Sequence, residues 1–266
     1  MVTTPWVTVV KYENNILMDF MSAASAMQAW NFFESIMLLQ RGGKMLSLWD
    51  DMVQARETKK LSFASSLLRG VSGSLEPQLY LWLQKLKSAL LSKFSLYFHT
   101  TLAQQTSPNE MKSLCAKLSL DQTSRLAAFQ KRADAKSITV LFDATGLASY
   151  KGRPGYHHLE KQQTQLSGLD LFPVVYSIPQ QPSLPNVVMI LTDQNTDLAT
   201  DKTVYFYDGG VGATYFLHNI EPRFYAVIIF EGRRSERDST INTFIQETAL
   251  QLRCSKVFAA LKPGYK

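Results

Sequence analysis

Apolar residues crowd the stretch Leu79 to Thr101, LYLWLQKLKSALLSKFSLYFHTT, around most of a helix and not along one narrow stripe. Leu79, Leu83, Leu86, Leu90, Phe94 and Phe98 recur at the three- and four-residue spacing of one helical face, while Tyr80, Trp82, Leu91 and Tyr97 add apolar area beyond it. Lys85, Lys87, Ser88, Ser92, Lys93 and Ser95 read as the wetted positions. Such a helix has two packing partners. At 1.5 Å rise per residue it spans roughly 35 Å, the width of a domain, and so is predicted to join the two halves of the chain. Its apolar area reads as core, the competing use being a partly exposed surface that docks another protein.

Upstream, Met18, Met21, Met27, Trp30, Phe33 and Met37 sit at helical spacing among Ala and Ser, which predicts a long helix over about 14–39. Arg41, Gly42 and Gly43 punctuate it, and a second helix follows over about 44–60, burying Leu48, Trp49, Met52 and Val53. The methionines read as core gap-fillers, not ligands. Residues 62–77 hold Ser65, Ser66, Gly70, Ser72, Gly73, Ser74 and Pro77 and form the candidate domain boundary. Further on, Ser107, Pro108 and Glu110 supply a capping serine, a proline at the first helical position and a carboxylate that reaches back. A helix to about Leu118 follows, and Asp121 opens another that carries Leu126 and Phe129.

From Ser137 the period becomes that of strands. Residues 137–142, 173–178, 186–192, 203–207, 213–218 and 224–231 are rich in Val, Ile, Tyr, Phe and Thr, and Asp, Gly or Pro bound them. Asp208, Gly209 and Gly210 give a hairpin signal between the fourth and fifth. With no helix of crossover length between them, these six predict a mainly antiparallel sheet. Ser235 and Asp238 resemble a capping box for a last helix with Ile241, Phe244, Ile245, Ala249 and Leu252 on one face, closing over the sheet. Residues 145–169 read as a long mobile loop. The predicted fold class is α+β, with a helical region over 1–70 and an α+β domain over 71–266 in which helices cover the sheet.

Composition narrows the functions open to it. The 266 residues, 45% hydrophobic and 19% charged, suffice for a sizeable core. Two cysteines, Cys115 and Cys254, are too few for a disulfide framework and have no close-spaced zinc partner, which fits a reducing compartment. The first residues lack the pattern of a signal peptide and no later window approaches eighteen uninterrupted apolar residues, so membrane association is expected only through partners. The net charge of +6 is thinly spread, its densest groups being Arg233, Arg234 and Arg237 and then Lys256, Lys262 and Lys266. No basic face interleaved with aromatics suggests nucleic-acid binding.

Candidate chemistry is sparse. Asp143, Asp193 and Asp208 each end a predicted strand and would hold magnesium if they converged, but aspartate also simply starts turns. His157 and His158 are adjacent, so their side chains diverge, and only His99 and His218 join them as ligands. A phosphate loop, HExxH, CxxC pair and GxSxG elbow are all missing from the sequence, leaving catalysis no motif and no cofactor or metal to expect. Arg233, Arg234 and Arg237 are the candidate partner-binding residues, because exposed amides at a helix start already favour anions such as a phosphate or an acidic segment. The competing reading is local neutralisation by Glu231, Glu236 and Asp238.

RETKK at 56–60, the stretch 79–101, EMKSLCAK at 110–117, GYHH at 155–158, PNVVMILTD at 185–193, TYFL at 214–217, SERDS at 235–239 and KVFAALKPG at 256–264 together resemble, in order, the KICSTOR subunit two family. The family protein carries a longer helical amino-terminal region, so the resemblance implies either a member shortened at that end or a sequence that lacks its start. It also implies a non-enzymatic scaffold subunit. KICSTOR places the GATOR complex at the lysosomal surface, so that Rag GTPases and the TOR kinase are switched off when amino acids are scarce. Implied partners are the other KICSTOR subunits and, through them, GATOR and the Rag GTPases; implied location is cytoplasmic, at the lysosomal membrane surface through those partners. The alternative class is a small-molecule sensor or enzyme-like domain, with its ligand between the sheet and loop 145–169.

Overall fold

The computed structural model describes residues 5–64, 78–147, 167–179 and 184–261, with the side chains of 5–10 and 52–64 outside that description. Two helices, α1 (Pro5–Gln28) and α2 (Phe32–Ala64), form a hairpin. The expected single helix over 14–39 is broken at Trp30, which takes the left-handed conformation (φ 51°). Asn31 then starts α2: its Oδ1 accepts from the Glu34 amide at 3.2 Å and its Nδ2 donates to the Glu34 carboxylate at 2.9 Å. The expected break at Gly42 and Gly43 is absent, because α2 runs straight through both. Here the glycines serve helix contact, not helix ending. A Cβ at Gly42 would stand 2.7 Å from Phe20 Cε1, so only glycine lets α1 and α2 approach this closely.

Gly42→Ala should therefore lose stability, since overpacking costs about 1–3 kcal/mol against the roughly 1 kcal/mol that Ala gains over Gly in a helix. Gly43→Ala meets only the flexible end of Lys87, at 3.3 Å. It should gain up to about 1 kcal/mol. Urea midpoints moving in opposite directions would bear out the pair, and a shared direction would refute it.

Helix α3 (Gln78–Tyr97) is the expected long helix, ending at Tyr97 before a bend at Phe98 and a short α4 (His99–Gln105). Most of its apolar residues are core: Leu83, Leu86, Leu90, Phe94, Leu96 and Tyr97 are all buried, while Leu79, expected on the same face, and Leu81 are exposed at its first turn. Ser92, Lys93 and Ser95, expected to be wet, are buried too. Ser92 and Ser95 donate to helix carbonyls at 3.1 and 2.8 Å, which leaves no orphan hydroxyl. Next come α5 (Pro108–Ala116) and α6 (Gln122–Ala133). The Ser107–Glu110 capping box forms as expected, and the donated Ser107 amide holds the Glu110 carboxyl below its ordinary pKa. Asp121 caps α6 by accepting from the Ser124 amide.

The sheet contains β1 (Ser137–Phe142), β2 (Val174–Ile178), β3 (Val204–Asp208), β4 (Ala213–Glu221) and β5 (Phe224–Glu231), ordered β2-β1-β5-β4-β3 and antiparallel throughout. The fold is α+β, helices first and then this sheet. The expected strand over 186–192 is instead α7 (Leu184–Asp193). Its apolar run reads equally as strand or helix, but Val187, Ile190 and Leu191 recur at helical spacing and are the residues that bury. With α8 (Asn195–Leu198), α7 carries the chain from the β2 edge to the β3 edge, its apolar side sharing a core with Tyr215, Leu217, Val227 and Ile229.

The other sheet face belongs to a larger core. Phe142, Phe216, Phe224, Ile228 and Phe230 join Ile16, Phe20 and Trp49 of the hairpin, Leu83 to Phe98, and the face Ile241, Phe244, Ile245 and Leu252 of α9 (Ser239–Leu252). Covering on both faces explains why β5 is buried along all but its last residue. Phe129 of α6 and Phe244 of α9 stack in parallel at 3.6 Å, and a short α10 (Ser255–Ala259) packs back on α3. Of the expected boundary loop 62–77, residues 62–64 are instead the end of α2, and 65–77 lie outside the described residues.

A candidate partner-binding surface and the buried polar joint

Between β5 and α9, the loop 232–238 holds all three candidate arginines. Gly232 turns it with a left-handed φ of 72°, its amide donating to Gly212 O at 2.7 Å. Thr214 Oγ1 donates to Gly232 O at 2.7 Å and accepts from the Arg234 amide at 3.0 Å, while Tyr205 OH donates to Arg234 O at 2.9 Å. Sheet side chains thus pin the loop backbone. The Arg233 guanidinium lies 5.4 Å from the Tyr207 ring centre and that of Arg234 lies 5.0 Å from Phe230. Arg237 is exposed just before α9. The cap of α9 is Asp238, which accepts from the Thr240 and Ile241 amides; Ser235, expected to cap, lies outside the helix and accepts from the Arg237 amide at 3.3 Å.

Glu231 faces Lys136 at 3.4 Å and Asp238 accepts from the helix amides, and among the described residues none of the three arginines is within ion-pair distance of a carboxylate. The structure therefore presents a cationic loop on an aromatic seat, a geometry suited to carboxylates or phosphate.

The other candidates do not converge. Asp143 follows β1 and Asp208 ends β3; with three antiparallel steps between those strands, they stand at opposite ends of the sheet. Asp193 ends helix α7, not a strand. Asp208 accepts from the Gly210 and Val211 amides, the turn role aspartate commonly takes. His157, His158, Lys262 and Lys266 lie outside the described residues. Cys115 and Cys254 are buried and free. Two open clefts, of about 350 Å³ between α6 and α9 and about 290 Å³ between α2 and α3, sit among helices. The pocket expected beside loop 145–169 involves residues 148–166, outside the described residues.

Sequence reasoning missed a buried polar joint. A bulge between Asn219 and Glu221 ends β4 and turns Glu221 inward. Its Oε2 accepts from Lys93 Nζ at 2.6 Å and from Gln28 Nε2 at 3.2 Å, and its Oε1 accepts from Tyr97 OH at 2.5 Å. Both charged side chains are only 3% exposed. Trp30 Nε1 donates to Tyr97 O at 2.9 Å, so the break between α1 and α2 is tied to the same joint. Burial, and then the Glu221 charge, push the Tyr97 hydroxyl well above its ordinary pKa. Burial likewise pushes the Cys254 thiol up to about 11, which keeps it protonated and inert. Arg253 donates to Ile220 O, to Asn219 O at 2.6 Å and to Asp201 at 2.6 Å, holding the strand end from the far side. The signal available in the sequence was a single lysine inside an aromatic run and a lone glutamate closing an apolar strand.

His218 adds a pH dependence. It is buried, with Nε2 at 3.5 Å from Asp201 and Nδ1 at 3.3 Å from Thr203 Oγ1. Burial lowers its pKa against the pull of Asp201, with Arg253 pushing the same way as burial, and burial lowers that of His99 too. Unfolded histidine binds protons below about pH 6.5, so the unfolded state takes up more protons there and stability falls as pH falls. Melting temperature should drop between pH 7.5 and 5.5, with a shallower drop in His218→Gln. An equal slope in both proteins would rule this out.

Residues 3–266 match the family model described as KICSTOR complex C12orf66 like. The chain belongs to that family. Two relatives named KICSTOR subunit 2 match this family member: one from Danio rerio, 42% identical over 260 residues, and one from Xenopus laevis, 38% identical over 259. Each alignment covers 96% of this chain and 57% of the relative, so the chain spans little more than half the length of these curated relatives. Among the described residues of this KICSTOR-family chain, no helix is long and apolar enough to cross a membrane.

Proposed function

We propose that the chain is a non-enzymatic scaffold subunit of KICSTOR that helps place the GATOR complex at the lysosome, restraining TOR signalling when amino acids are scarce. Its partners in this reading are other KICSTOR subunits and, through them, GATOR and the Rag GTPases. It works at the cytoplasmic surface of the lysosome, held there by those partners. The division into a helical region, 1–70, and an α+β domain, 71–266, belongs to the same proposal. One observation carries it: 42% identity, over 96% of this chain, to a protein named KICSTOR subunit 2. The cationic loop on its aromatic seat supports a binding role, since it offers charge on a backbone pinned by Thr214 and Tyr205.

The test is reconstitution. The chain is co-expressed with the other KICSTOR subunits in cells lacking their own subunit two. Co-purification, and recovered shut-off of TOR signalling on amino-acid withdrawal, are the expected results. Failure of the intact chain to co-purify with any KICSTOR subunit would sink the scaffold reading.

A further inference from the structure

β3 forms one outer edge of the sheet, and among the described residues that edge is open. At the opposite edge, α3, α4 and α6 all pack on β2, whereas β3 takes its substantial contacts from β4. Among the described residues, the backbone of 204–208 has no hydrogen-bonded neighbour besides β4. Natural edges are guarded by lysine, proline or a bulge. β3 reads VYFYD and pairs with β4 in unbroken register, so it has no lysine, proline or bulge, and its one charge is Asp208 at the end. Tyr205, Phe206 and Tyr207 are each partly exposed along it.

Charge says what kind of strand fits. Arg233 lies over the ring of Tyr207, a β3 side chain, and the carbonyl of Arg234 is held by Tyr205, so the cationic loop borders this edge. The neighbouring carboxylates are engaged: Asp208 in its turn, Asp238 in the helix cap, Glu231 with Lys136 and Asp201 with Arg253. Asp208 and Asp238 keep their charge, since their partners are neutral amides, and among the described residues Glu236 is the carboxylate of this loop whose side chain has neither a hydrogen bond nor an ion pair. A second copy of this chain would bring its own arginines to the same edge and meet repulsion.

We propose that the open edge of β3 accepts an extended acidic segment of a KICSTOR partner as an added strand, with Arg233 and Arg237 binding its carboxylates. Backbone amides supply the affinity and the guanidiniums select for acidic side chains. This deepens the scaffold reading and rests on it.

Hydrogen–deuterium exchange on the purified complex tests it, beside the same chain alone. Amides of 204–208 should exchange at least tenfold more slowly in the complex. The variant Arg233→Glu with Arg237→Glu should keep the parent's melting temperature, yet capture partners at least tenfold less and lose the salt dependence of capture. A complex that forms with β3 exchange unchanged overturns the inference while the scaffold reading stands; no complex with the parent chain overturns both. Slowing of β3 exchange in the chain alone that grows with its concentration assigns the edge to self-association and also overturns it.

Discussion

Glu221→Ala is expected to lower the unfolding free energy by roughly 3–5 kcal/mol, the usual cost of stranding one member of a buried ion pair. Lys93 would keep its charge at 3% exposure with no counterion, and Tyr97 and Gln28 would lose the oxygens they donate to. Against a typical total of about 5–15 kcal/mol, that is a large fraction. Because desolvation offsets much of what such a pair gains, Glu221→Leu combined with Lys93→Met should be far milder than either single change. Urea unfolding of the three variants reads this directly. A single variant within about 1 kcal/mol of the parent would mean that water reaches the joint and screens it.

Leu86→Asp and Phe94→Asp should each abolish cooperative melting. Leu86 is 1% exposed and Phe94 is 6% exposed, the latter ring lying 5.5 Å from Phe32 and 4.9 Å from Phe98. Truncation to Ala at such sites costs about 2–5 kcal/mol, and placing an unpaired carboxylate there adds several more. Circular dichroism melts decide the matter. If both variants melt like the parent yet lose their partners, this face of α3 is an interface.

What could be read from the sequence follows a physical line. Caps were legible where one side chain satisfies nearby amides: Ser107 with Glu110, and Asp121, act locally and need no tertiary context. Strands were legible at Ser137–Phe142 and Phe224–Glu231, where β-branched and aromatic residues dominate. The same composition misled at Asn186–Thr192, because a run apolar at almost every position has no period to read and what lies against it decides its form. Gly42 misled likewise, since whether a glycine ends a helix or admits a neighbour depends on Phe20, twenty-two residues away in sequence. For the candidate surface, the arginine cluster was visible as composition, but its seat on Tyr207 and Phe230 required the sheet to be assembled. Lys93 was misread as wet for the same reason: its partner is 128 residues further on.

That separation also orders events at the ribosome. Translation adds about 5–20 residues per second, so Glu221 emerges on the order of 6–25 s after Lys93. Trp82 waits longer, for the carbonyl of Val257, 175 residues downstream. For that interval the nascent chain carries the residues of its first three helices while the third has neither its counterion nor its β-sheet floor, an opening in time for chaperones or an already assembled partner to engage it before the fold closes.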